Sequence, residues 1–162
     1  MKVRGAITLA LLAILVVAVT PARAASTRAE YVAQAEAVCA APTPQLLKIS
    51  KHEDQVIKQA RAGNLRPSQY AVRMGKLLGK LATIEGQILT QLATIPPAPG
   101  DEAIITAWLQ GVRDGDALLV HAVRAGKHGN LGQMLARLKQ SISVTTQAEQ
   151  PVAGFGFEAC NF

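Results

Sequence analysis

The chain has 162 residues, with 17 Lys or Arg against 11 Asp or Glu, a formal charge of +6. That length is one domain, large enough to bury about two thirds of its surface. Its two cysteines have no Cys-x-x-Cys spacing, and a metal site built on them would need two more ligands, so a cysteine-rich metal centre is excluded.

The N-terminus reads as three zones. Lys2 and Arg4 give a positive start, and Gly5 to Val19 is uncharged and mostly apolar. Thr20-Pro21 then breaks the helix before Ala22-Arg23-Ala24, which puts small residues where a signal peptidase looks. The apolar run is 15 residues, short of the roughly 20 that span a bilayer. Residues 1–24 are therefore expected to be a cleaved secretion signal. The mature domain would be 25–162, with no transmembrane span. Lys2, Arg4 and Arg23 leave with the signal, so the mature net charge falls to +3. No cysteine stands near the cleavage site to take a lipid. The expected location is extracellular or the cell envelope, in a periplasm-like space. There the even pair Cys39 and Cys160 reads as a disulfide rather than as metal ligands or reactive thiols.

Helical periodicity fills the rest of the chain. The first helix opens at a capping box, Thr27-Arg28-Ala29-Glu30, and carries Tyr31, Val32, Ala35, Val38 and Cys39 on its apolar stripe. Pro42-Thr43-Pro44 ends it, with Thr43 as the expected cap of the second helix. That helix carries Leu46, Leu47, Ile49, Val56, Ile57 and Ala60 and stops at Gly63-Asn64. The third opens near Pro67, and its seam is Tyr70, Met74, Leu77, Leu81, Ile84 and Ile88. Residues 95–100 form the one clear linker. Asp101 is the expected cap of helix four, whose seam is Ile105, Trp108, Val112, Gly115, Leu119 and Ala122. Helix five is expected to face inward through Leu131, Leu135, Leu138 and Ile142, weakening from Ser143. Residues 151–162 are the tail.

The predicted fold is all-α: an up-and-down four-helix bundle with an additional N-terminal helix. Four passes return the chain to the end where helix two begins. Cys39 precedes helix two and Cys160 follows helix five, so both arrive at one end, as a disulfide requires.

Two short terminal segments resemble those of small exported helical proteins of bacteria with no established activity. One is the helix Tyr31-Val32-Ala33-Gln34-Ala35-Glu36-Ala37-Val38-Cys39; the other is the Gly-Phe-x-x-Cys end, Gly156-Phe157-Glu158-Ala159-Cys160. The resemblance covers about ten residues at each end. It implies an exported, disulfide-closed helical domain and no particular activity.

Catalytic patterns are missing from the sequence. His52 lacks the second histidine of a His-Glu-x-x-His zinc helix, and there is no Gly-x-Ser-x-Gly or Ser-x-x-Lys nucleophile motif. His121 borders the helix-four seam, and His128 lies in the turn that follows. Asp116 is expected to pair with Arg113, one helical turn away, and Glu85 to keep a solvated head at the edge of its seam. Gly75 with Gly79, and Gly111 with Gly115, open faces for close helix approach. No catalytic residue, metal or cofactor is assigned.

Charge is the uneven feature. Lys48, Lys51, Lys58, Arg61, Arg66, Arg73, Lys76 and Lys80 stand against Glu53 and Asp54 alone, whereas residues 81–162 are net acidic. A basic flank on helices two and three suits a polyanion: an anionic envelope polymer or an anionic lipid surface. A further envelope protein is another expected partner. Nucleic acid is the weakest candidate, because Tyr70 is the one ring available there for base stacking. The expected function is a non-enzymatic binding or scaffolding protein of the envelope or extracellular space. The alternative is an apolar-ligand binder with a cavity lined by Leu77, Leu81, Trp108 and Leu119.

Overall fold

The computed structural model describes residues 27–162, so the predicted signal over 1–24 lies outside the described residues. Five helices follow one another: α1 Arg28–Ala40, α2 Thr43–Arg61, α3 Pro67–Leu92, α4 Glu102–Lys127 and α5 Leu131–Glu149. A 3-10 turn, Gln150–Phe155, leads into the tail, and no strand occurs among the described residues. The capping box forms as expected. Thr27 Oγ1 accepts from the Glu30 N–H at 3.2 Å, and the Glu30 carboxylate accepts from the Thr27 N–H at 3.1 Å.

Two other expected caps do not form. The Thr43 hydroxyl donates backward to the Ala40 carbonyl, at 2.7 Å, which joins α1 to α2 instead of capping α2. The Asp101 carboxylate is committed to Arg28, which grips it through Nε at 2.8 Å and Nη2 at 2.5 Å. A two-pronged charged pair of this kind outcompetes a single neutral N–H. The Arg28 hydrogen bond also holds the Asp101 carboxyl below its usual range.

Helix α4 is the axis of the bundle, packed lengthwise against α3 on one side and α5 on the other. All six of its predicted seam positions are buried. Helix α2 lies on α3 and buries no residue completely; Leu47 is exposed, while Leu46, Ile49 and Val56 pack against the core. The core divides in two. One half gathers Tyr31, Ile88, Leu92, Ile105 and Trp108 at the disulfide end. The other gathers Ala71, Met74, Leu119, Ala122 and Met134 toward the opposite turns.

Helix α5 keeps only part of its expected stripe, with Leu131 and Leu138 packed against the core. Leu135 and Ile142 are exposed, and the buried positions are Met134, Ser141 and Thr145. The reason lies on α4. A Cβ at Gly111 would sit 2.4 Å from the Ala148 Cβ, and one at Gly115 2.2 Å from the Thr145 hydroxyl. The two glycines let the backbones approach so closely that only small side chains fit between them. Ser141 then donates to the Gly115 carbonyl at 2.8 Å, inside the interface. What read as a weakening helix end is a close-packed one.

Gly75 plays the same part between α3 and α4, where a Cβ would meet the Gly126 carbonyl carbon and the Lys127 nitrogen at 2.9 Å. Backbone cannot yield as a side chain can. Gly75→Ala is expected to cost about 1–3 kcal/mol by overpacking. Gly86, in the same helix, has no neighbour within 4 Å of a would-be Cβ, and Gly86→Ala should gain up to about 1 kcal/mol of helix propensity. Urea unfolding of the two variants should therefore shift in opposite directions, and a Gly75→Ala protein as stable as the parent or more so would refute the close approach at Gly75.

The tail closes the bundle. Cys39, in the last turn of α1, is bonded to Cys160 across 121 positions, with the Cα atoms 5.2 Å apart. The Glu36 carboxylate accepts from three successive backbone N–H groups, those of Glu158, Ala159 and Cys160, at 2.8–3.2 Å. Phe157 stacks on Trp108 with the ring centres 5.0 Å apart, and the Phe162 N–H donates to Glu149 at 2.6 Å. Arg28 lies 4.1 Å over the Phe155 ring while holding Asp101, so one side chain joins the start of α1, the head of α4 and the tail.

Candidate functional site

Helices α2 and α3 form a hairpin with their apolar stripes toward each other and α4, which turns their remaining positions outward. All eight basic residues named from the sequence are exposed there: Lys48, Lys51, Lys58 and Arg61 on α2, Arg66 just before α3, and Arg73, Lys76 and Lys80 on it. Arg73 donates to the Gln59 side chain, which ties the two helices together. Among the described residues the one ion pair is Arg28 with Asp101, at the other end of the bundle. None of the eight cations has a carboxylate within ion-pair reach.

The fold adds two residues that the sequence put elsewhere. Lys127 and His128 close α4, within the net-acidic half of the chain, yet Gly75 brings this end of α4 against the start of α3. The Lys127 stem runs beside α3, and its Cε would lie 4.0 Å from a Cβ on Gly79. Lys127 and His128 therefore face Arg73 and Lys76 across a surface cavity of about 450 Å³, which Ser68 and Gln69 also line. No acidic residue lines it.

The other candidates are scattered. His52 and His121 are exposed and lie on different helices. Asp116 makes no ion pair with Arg113; its Oδ1 is buried without a hydrogen-bond partner, while Asp114 accepts from Gln110 at 2.9 Å. Asp116 turns toward α3 and Glu85. Burial, and secondarily the Asp116 charge, push the Glu85 carboxyl up to about 7, and burial raises Asp116 as well. So Glu85 is not the solvated edge residue expected. Among the described residues no three His, Cys, Asp or Glu side chains gather as a metal site would need. Of the four residues of the suggested apolar cavity, Trp108 belongs to one core cluster while Leu77, Leu81 and Leu119 belong to the other.

The fold and the surface together define a class: an all-helical bundle closed by one disulfide, with a strongly basic face on its α2–α3 hairpin. No helix among the described residues is long and apolar enough to cross a membrane. No protein-family model matches the chain, and no curated protein or solved structure matches it.

Proposed function

We propose that this is an exported, non-catalytic binding protein of the cell envelope or extracellular space, whose α2–α3 face holds an anionic polymer. One observation carries the reading: eight exposed cations on one hairpin, none of them neutralised by a carboxylate. Such a face attracts polyanions at long range and holds them by many weak contacts. A polymer suits it better than a bilayer. Surface-bound membrane helices also present Trp, Phe or Leu for insertion, and on this hairpin Leu47 is the one exposed large apolar side chain. The absence of nucleophile and zinc-helix motifs from the sequence supports a non-catalytic role.

Polyphosphate binding followed by calorimetry across a salt series tests the proposal. Affinity should be measurable at low salt and fall steeply as ionic strength approaches 0.1 M, where exposed charges are screened beyond about 10 Å. Arg73→Glu, Lys76→Glu and Lys80→Glu together should abolish binding with helical content unchanged. The same reversals at Arg113, Arg137 and Lys139, away from the hairpin, should leave most of it. No binding by the unaltered protein, or equal loss from both sets, would reject the basic face as the binding surface.

A further inference from the structure

The geometry points to a discrete phosphate cradle within that face, formed by Arg73 and Lys76 of α3 with Lys127 and His128 at the end of α4. This rests on the reading of the basic face as a binding surface and names the place and the chemical group it takes. The cations elsewhere on the hairpin are spread along two helices. Here three, from helices remote in sequence, converge on one concavity of about 450 Å³. With no acid in the lining and no ion pair to any of them, their mutual repulsion is uncompensated until an anion enters. Gly75 and Gly126 create the convergence, because only their missing side chains let α4 end so close to α3.

Phosphate fits this set better than carboxylate. Its several oxygens and its one to two charges can accept from a guanidinium fork and two ammonium groups at once, whereas a carboxylate offers two oxygens and a single charge. The Ser68 hydroxyl can add a neutral donor at the rim. The volume falls in the range of sites for small organic ligands, so the cradle has room for a phosphate together with part of the chain that bears it. It therefore acts as the point at which a phosphate-bearing polymer is gripped, and the rest of the hairpin as the track along which it lies.

Tripolyphosphate, short enough to occupy the cradle without spanning the hairpin, is the probe, with citrate as a carboxylate of comparable charge. Calorimetry of the whole protein should show one tripolyphosphate per chain, bound about tenfold more tightly than citrate. Its addition should move the amide resonances of Ser68, Gln69, Lys127 and His128. Replacing Lys76 and Lys127 by Gln should weaken it by about tenfold or more, while Lys48→Gln with Lys51→Gln, an equal change of charge, should weaken it by less than about threefold. Circular dichroism should show both pairs folded, since all four lysines are exposed. Equal loss from the two pairs, with long-chain polyphosphate still bound, would overturn the cradle and leave the basic face standing. Equal affinity for citrate and tripolyphosphate would overturn the phosphate assignment. Failure of the unaltered protein to bind either long or short polyphosphate would remove cradle and face together.

Discussion

Replacing Cys39 and Cys160 by Ala is expected to destabilise the protein by about 2–4 kcal/mol, which lowers the thermal midpoint by roughly 10 °C for a domain of this size. The bond closes a loop of 121 positions, and a loop that long restricts the unfolded chain strongly. Thiol labelling of the unfolded, unreduced protein should find no free thiol. The chain has a single tryptophan, and Trp108 is stacked on Phe157 and near Phe162, so its fluorescence reports directly on the tail. Below the lowered midpoint the emission should stay blue, because Glu36 still holds three tail N–H groups. Adding Glu36→Ala to the double variant should release the tail and shift the emission to the red. A midpoint indifferent to reductant would show that the bond carries none of the stability assigned to it.

The second large effect is one of pH. Glu85 takes its proton near pH 7 in the folded protein, against an ordinary value of 4.5, so between those limits the folded state binds more protons than the unfolded. Stability must then fall as pH rises from about 4.5 to 7 and stay low above it. Over that interval, at 1.36 kcal/mol per pKa unit, the full effect is roughly 3 kcal/mol. Glu85→Gln should match the parent near pH 4, exceed it by that amount at pH 8, and flatten the slope between. Asp116→Asn should recover a smaller part, since the neighbouring charge is the lesser cause beside burial. Urea midpoints at pH 4.5, 6 and 8 decide the matter, and a parent protein equally stable at all three would refute the burial of the pair.

The contrast between α4 and α5 marks how far the sequence could be read. Every seam residue of α4 is where its periodicity put it, because a helix flanked on both sides by large partners buries whatever its apolar stripe presents. The α5 stripe holds at Leu131 and Leu138 but misleads at Leu135 and Ile142, because that part of the face is dictated by Gly111 and Gly115 on α4, whose close backbone accepts Ser141 and Thr145. That information sits in a different segment from the residues it governs. Lys127 was hidden for a related reason. Charge counted along the chain assigns it to the acidic half, whereas the Gly75–Gly126 contact returns it to the basic one. The cysteine pairing was legible because it needed only the number of passes, which short turns between long helices settle. Glu85 and Asp116 were not, since each borders its own seam and only the α3–α4 register brings them together.

The placement of the disulfide also bears on how the protein is made. A chain grows from its N-terminus, so Cys39 is formed long before its partner exists. Until residue 160 has been added, that thiol has no mate within its own chain. Oxidation thus records synthesis as far as residue 160: a chain cut short between the two cysteines carries one reactive sulfur, and a folded one with the bond closed carries neither thiol free. A thiol-directed reagent, or any cellular machinery that retains proteins by their exposed thiols, can separate the two by this single group without sensing the shape of the bundle.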